Sequence, residues 1–179
     1  MKYFTPELIQ RIQADNFDVY LKAYHEWEQA IVRSERRWKR IRPSFPKEVQ
    51  RFNDERVCLH DARLWSMGRD GETLLMVLEP EPPAQTLVFL TFTLNGEPII
   101  DRKALPGRKE HDWVEWMYEE WDVDRQKRCW FEVLLSNGWS VKLCFRDFHY
   151  RIAQRLFPVP KPPAEVMTPP PQSSLPQTA

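Results

Sequence analysis

The chain predicts an α+β fold in which N-terminal helices pack on an antiparallel, meander-like β-sheet. Apolar residues at helical spacing dominate residues 17–42, and from residue 57 onward β-branched and aromatic residues alternate with turn formers. Residues 158–179 hold eight of the sixteen prolines, which predicts a disordered Pro-rich C-terminal tail. We therefore expect a single domain over residues 1–157, followed by that tail.

Residues 1–55 form the predicted helical part. Thr5, Pro6 and Glu7 mark a helix start, because a hydroxyl caps free amides, proline presets φ and an acid complements the dipole. This first helix should end near residue 14. The spacing predicts a long helix over 17–42, and its apolar stripe comprises Tyr20, Tyr24, Trp27, Ile31, Trp38 and Ile41. A further short helical turn is expected after Pro46.

Residues 56–147 form the predicted sheet. The pairs Asn95-Gly96 and Asn137-Gly138 are strong hairpin signals, since both residue types tolerate positive φ. Seven strands are expected, at 57–67, 73–78, 86–94, 97–100, 113–122, 129–135 and 139–145. A short helix over 148–157 is expected to close the domain, with Tyr150, Ile152 and Leu156 toward the core.

Charge and cysteine content restrict the setting and the class of ligand. With 26 basic and 26 acidic residues the net charge is zero, so the chain lacks the global basic footprint of most duplex-binding proteins. Cys58, Cys129 and Cys144 are an odd number, which favours free thiols in a reducing cytoplasm. Neither a signal-peptide core nor a run of about 18 apolar residues is found, so a cytoplasmic protein without a membrane segment is expected.

The segment Cys58-Leu59-His60-Asp61 is the most catalytic-looking cluster in the sequence. On a strand, Cys58 and His60 would share one face, and an imidazole beside a thiol is how a thiolate nucleophile is activated. Catalytic partners usually come from separate elements, however, and no glycine-rich turn flanks Cys58. A buried thiol beside a partly exposed histidine is the favoured interpretation. No zinc-type spacing joins the cysteines to the histidines, so neither a metal nor a cofactor is expected; the remaining histidines are His25, His111 and His149.

Residues 110–124 carry seven carboxylates, interleaved with aromatic residues. Strand alternation places one set of five residues on the same face, namely Trp113, Glu115, Met117, Glu119 and Trp121. Two acids beside aromatics could form a sugar-cleaving site if they met across a cleft. The favoured alternative is a solvent-facing strand whose charges prevent edge-to-edge pairing.

A basic ridge, defined as Arg33, Arg36, Arg37 and Arg40, is predicted on one side of the long helix. Such a ridge could bind phosphates of a nucleic acid. It could equally bind an acidic partner or the acidic strand of the same molecule, and no groove-reading motif accompanies it. The zero net charge therefore hides a segregated distribution that suits oriented docking with a charged protein.

The opening Met1-Lys2-Tyr3-Phe4-Thr5, together with Glu26-Trp27-Glu28 in an amphipathic helix, resembles an uncharacterised bacterial family that carries only a domain-of-unknown-function label. The stretches 131–138 and 145–148 are similar to hairpins in such small bacterial proteins. The resemblance implies a bacterial cytoplasmic setting. It implies no activity and no catalytic residue.

The function expected from the sequence is that of a non-enzymatic bacterial accessory or adaptor protein, which binds a protein partner through exposed aromatics and segregated charge. The alternatives are a nucleic-acid-contacting accessory protein that uses the Arg33 to Arg42 helix, and a small hydrolase with an unrecognised site. The candidate partner-binding residues are Arg33, Arg36, Arg37, Arg40, Trp113, Glu115, Glu119 and Trp121.

Overall fold

A computed structural model describes residues 1–55, 57–80, 86–102 and 113–154. The helices are α1 (Pro6–Ile12), α2 (Phe17–Ile41) and α3 (Lys47–Asp54), with a single 3-10 turn (Arg42–Ser44) after α2. The strands are β1 (Arg63–Asp70), β2 (Thr73–Glu79), β3 (Thr86–Leu94), β4 (Ile99–Asp101), β5 (Val114–Val123), β6 (Cys129–Leu135) and β7 (Ser140–Gln154). Among the described helices, none is both long and apolar enough to cross a membrane.

The sheet closes into a six-stranded antiparallel barrel, in the order β1, β2, β3, β7, β6, β5 and back to β1. The short β4 pairs with β7 outside this ring. The expected α+β class, with helices packed on an open meander sheet, is therefore wrong. Closure depends on the long β3–β7 ladder, which joins strands far apart in the chain and leaves no local pattern in the sequence.

The barrel is completed by a short ladder that we call the closing seam. It joins β1 to β5 through two residue pairs, Arg63 with Glu115 and Leu64 with Val114. Two backbone hydrogen bonds extend it, from the Asp61 amide to the Trp116 carbonyl and from the Trp116 amide to the Ala62 carbonyl, both 2.8 Å long. The seam is therefore the narrowest junction in the barrel.

β7 continues as a strand as far as Gln154, so the helix predicted over 148–157 is wrong for its described part. Arg146 is an extra residue opposite the step from Thr93 to Leu94, and this bulge interrupts the two-residue alternation. Because of this interruption, the inward-facing residues before and after the bulge are spaced along the sequence as they would be on a helix. The rest of the predicted helix, with Leu156, and the predicted Pro-rich tail lie outside the described residues.

The three predicted N-terminal helices are confirmed. Thr5 caps α1 by accepting the Leu8 amide at 3.2 Å, and Pro6 occupies the first helical turn. Asn16 caps α2 in the same way. β1, in contrast, begins later than predicted, because residues 57–62 form a loop in which Asp61 adopts a φ of 62°.

The largest core fills the barrel and continues onto α3 and the residues before it. Trp121 lies among the rings of Phe45, Phe92 and Phe131, with its ring centroid 4.6 Å from that of Phe131. A second cluster joins α1 to α2 and reaches the outer face of β5, where Tyr118 stacks on Phe4 at 4.8 Å. The helices therefore flank β5, the strand that carries most of the candidate residues.

Candidate functional site

A bulge in β5 exchanges the two faces of the strand. Trp116 pairs with Leu135 and Tyr118 pairs with Leu134, so Met117 is the extra residue of a β-bulge. Trp116 is fully buried in the barrel, whereas Tyr118 packs on the outer helical cluster. The side chains that point inward therefore occupy even-numbered positions before the bulge and odd-numbered positions after it.

This exchange divides the four candidate residues of the strand. Trp113 is 43% exposed, and Glu115 precedes the buried Trp116, so both lie on the outer surface. Glu119 and Trp121 follow the bulge and face the barrel core. The prediction that all of them share one face is wrong, because it assumed unbroken alternation. Glu115 and Glu119 consequently lie on opposite sides of the barrel wall and do not face each other across a cleft.

The outer surface at the closing seam carries a stack of three side chains that we call the Trp–Arg–Trp cluster. The guanidinium carbon of Arg63 lies 4.2 Å from the ring centroid of Trp113 and 5.5 Å from that of Trp65. Within the described residues, Arg63 is the one cation in contact with two aromatic rings. Trp65 and Trp113 remain 46% and 43% exposed, so large ring areas face solvent.

Two glutamates hold the indoles of this cluster. The Nε1–H of Trp65 donates to Glu79 at 3.0 Å, and the Nε1–H of Trp113 donates to Glu115 at 3.1 Å. Both glutamates are cross-strand neighbours of Arg63. Each accepts a hydrogen bond from an indole, however, and within the described part of the chain Arg63 donates no side-chain hydrogen bond and forms no ion pair. Among the described residues, the side chain of Arg63 therefore contacts the two rings, and its N–H donors form no hydrogen bond.

The basic ridge is partly used inside the molecule. Arg37 donates from Nε to Asp122 at 2.9 Å and from Nη2 to the Val123 carbonyl at 3.0 Å. Burial by itself would raise the pKa of Asp122, but the hydrogen bonds from Arg37, the Val123 amide and Lys2 lower it below its ordinary value. This contact is the internal use of the ridge that the sequence left open. The ridge residues that stay exposed are Arg33, Arg36 and Arg40.

Glu119 and Trp121 belong to the core rather than to a docking surface. The Glu119 carboxylate accepts the Nε1–H of Trp116 at 2.7 Å, and desolvation raises its pKa above the ordinary value. The Nε1–H of Trp121 is buried and has no hydrogen-bond partner among the described residues. Neither side chain therefore supplies the exposed aromatic or charged group that the sequence led us to expect.

The Cys58 to Asp61 segment lies in the loop before β1, so the shared strand face that was expected for Cys58 and His60 is wrong. The Nδ1 of His60 lies 2.9 Å from an Asp61 carboxylate oxygen, and its ring packs edge-on against Tyr118. No hydrogen bond joins the Cys58 thiol to His60 in this described loop. His111 lies outside the described residues, and within them no group of three His, Cys, Asp or Glu side chains could hold a metal ion.

The outer face of the barrel carries a groove of about 550 Å³, and charged side chains that line this groove pair with one another. Asp124 accepts from the Arg128 side chain at 2.7 Å and from the Trp130 indole at 3.2 Å. Burial opposes ionisation there, but these bonds and those from backbone amides lower the pKa of Asp124 to about 2. Glu132 pairs with Lys142 at 3.6 Å. The charged groups of this groove are therefore satisfied without a ligand.

Comparison with known proteins gives no family assignment: no protein-family model matches the chain, and no curated protein matches it. The functional interpretation therefore depends on the site itself.

Sequence reasoning missed Arg63 and Trp65. A cation and an aromatic residue two positions apart share one face of a regular strand, but β1 has a bulge at Trp65 that interrupts this alternation. What the sequence lacked was the proximity of Trp113, which depends on closure of the barrel through the closing seam.

Proposed function

We propose that this protein is a non-enzymatic accessory protein that binds a protein partner on its Trp–Arg–Trp cluster. One observation carries the proposal: two half-exposed indoles lie next to a guanidinium that forms no side-chain hydrogen bond among the described residues. Tryptophan and arginine are among the residues most enriched in the energetic centres of protein interfaces. The cluster thus supplies the exposed aromatic surface expected of a docking protein.

The cluster is held rigidly, which favours binding. Each indole is fixed by a hydrogen bond to a glutamate, and Glu79 is only 2% exposed. Arg63, Trp65, Glu79 and Glu115 stand on strands, and Trp113 immediately precedes β5. Because these side chains are already ordered, association immobilises fewer rotamers, and more of the contact energy appears as affinity.

The other expected functions receive less support from the geometry. Arg37 contributes its charge to Asp122, which reduces the ridge available for a nucleic acid. For hydrolysis, no nucleophile, base and oxyanion stabiliser converge within the described residues. We place the protein in the cytoplasm, since Cys58, Cys129 and Cys144 are all free thiols.

The experiment is affinity capture from a lysate of the source organism with wild-type protein and with the double variant Trp65→Ala, Trp113→Ala. Ile152→Ala is the matched control, because Ile152 is 49% exposed on β7 and lies outside the cluster. Circular dichroism and thermal melting establish that all three proteins fold. Each captured protein is then measured against the three forms by calorimetry.

A partner that binds wild type and Ile152→Ala equally, and the double variant at least about thirtyfold more weakly, supports the proposal, since central interface residues contribute 2 kcal/mol or more. Equal affinity for all three forms contradicts it. The proposal is also contradicted if nuclease treatment abolishes capture of every partner and the double variant Arg36→Glu, Arg40→Glu captures none. That result would assign the function to the basic ridge.

A further inference from the structure

We infer that the partner presents a carboxylate, from an aspartate or glutamate side chain, to Arg63. The inference rests on the proposed function and specifies the chemistry of the partner. The guanidinium lies over the Trp113 ring at 4.2 Å and near the Trp65 ring at 5.5 Å. Stacking uses the faces of the planar group and leaves its N–H donors at the edges.

A carboxylate fits those donors better than a neutral acceptor does. The guanidinium presents its N–H groups as a rigid fork whose spacing matches the two oxygens of a carboxylate. Arg63 is half-buried, and a partner that covers the cluster would remove it further from water. An unpaired charge is costly to desolvate, so the partner must supply the opposite charge or lose affinity.

The glutamates beside Arg63 do not fill this role. Glu79 and Glu115 are its cross-strand neighbours, but the hydrogen bonds that orient them within the cluster come from the two indoles. They hold the two rings next to the guanidinium, and neither glutamate accepts a hydrogen bond from it. Because Glu79 and Glu115 are negatively charged, they repel a partner segment with many acidic residues. They therefore favour a partner with a single acidic side chain positioned at the guanidinium.

Other stacked arginines show what an internally satisfied cation looks like. Arg51 stacks on Tyr150 at 5.0 Å and pairs with Glu48 at 2.9 Å. Arg128 stacks on Trp130 at 5.6 Å and pairs with Asp124 at 2.7 Å. Arg63 contacts two rings and, like Arg151 with its single ring, forms no ion pair with an acid among the described residues, so a partner can supply the carboxylate that Glu48 and Asp124 supply elsewhere.

The probe is a phage-displayed library of random twelve-residue peptides, selected in parallel on wild type, Arg63→Met, Arg63→Lys and the double tryptophan variant. Arg151→Met is the matched control, because Arg151 stacks on a single ring, Phe89 at 4.8 Å. Melting curves confirm that every form is folded. The affinity of the best selected peptide is then measured for each form at low and high salt.

Wild type and Arg151→Met should select peptides enriched in a single Asp or Glu. Arg63→Met should lose that enrichment and bind the selected peptide at least about tenfold more weakly, and Arg63→Lys should not restore it fully because it lacks the planar fork. Peptides that depend on the tryptophans but show no acidic preference would overturn the inference and leave the proposed function standing. Selection that is identical on the double tryptophan variant would overturn both.

Discussion

The two inward-facing tryptophans of β5 should respond oppositely to removal of the indole nitrogen. Trp116→Phe deletes the donor that binds the Glu119 carboxylate at 2.7 Å. Trp121→Phe deletes a buried N–H that has no partner among the described residues. Both changes remove a similar volume from the same core, next to Phe131, so the cavity contributions largely cancel in the comparison.

The difference between the two variants follows from hydrogen-bond energetics. Loss of the Trp116 bond should cost about 1–3 kcal/mol, because it leaves a desolvated carboxyl without its side-chain donor. Removal of the orphan donor of Trp121 should recover about 1–3 kcal/mol. We therefore expect Trp116→Phe to be less stable than Trp121→Phe by about 2–6 kcal/mol. For a chain of this size the gap corresponds to about 4–24 °C in melting temperature.

Urea unfolding, followed by far-ultraviolet circular dichroism and extrapolated linearly to water, measures the two free energies. Trp116→Phe should also lower the free energy of unfolding by less in a Glu119→Ala background than in wild type. The hydrogen bond between the two side chains is already absent in that background. Equal stability of the two single variants within about 0.5 kcal/mol would refute the reasoning, as would Trp121→Phe being the less stable of the pair.

Three further outcomes are expected. Because burial raises the pKa of Glu119, its ionisation opposes folding, so the stabilising effect of Glu119→Gln should grow as pH rises above 4.5, the ordinary value for a glutamate. Thermal melts across pH 4–8 test this, and a gain independent of pH contradicts it. Cys58 is exposed, whereas Cys129 and Cys144 are buried and desolvation raises the pKa of both thiols. Iodoacetamide should therefore label one thiol of the native protein and all three thiols in urea. Mass spectrometry counts the labels, and native labelling of all three would refute the assignment. Glu120 accepts hydrogen bonds from three backbone amides of the N-terminal segment at 2.7–2.9 Å. Glu120→Ala should therefore lower the free energy of unfolding by about 1–3 kcal/mol and speed amide hydrogen exchange in that segment. Unchanged exchange would show that other contacts anchor the segment.

Local signals predicted the elements well. The Thr5 cap marked the start of α1, and Asn137-Gly138 marked the hairpin between β6 and β7. These features succeed because cap and turn energetics involve only residues near one another in the chain. Asn95-Gly96 also lies between two strands, but the hairpin predicted there is wrong, because β4 pairs with β7 and not with β3. The closure between β3 and β7 could not be predicted in the same way, since no local preference specifies which strands pair across such a separation.

The errors about the candidate site arise from bulges. One extra residue at Met117 moved Glu119 and Trp121 inside, and another at Arg146 disguised the second half of β7 as a helix. A bulge is stabilised by the partner strand and by the packing on both faces, neither of which is visible in a single strand's sequence. Arg63 was overlooked for a related reason, because its significance comes from a neighbour that only the closed barrel provides.

The bulge at Met117 also determines which changes in chain length β5 can accept. Deleting that one residue would restore strict alternation, and either Trp113 and Glu115 would turn inward or Glu119 and Trp121 would turn outward. A point substitution at Met117 preserves the residue count and therefore the placement of every neighbour. In relatives of this protein, we expect substitutions at this position to be far more frequent than a deletion. A sequence alignment that opened a gap within β5 would pair outer-surface residues with core residues.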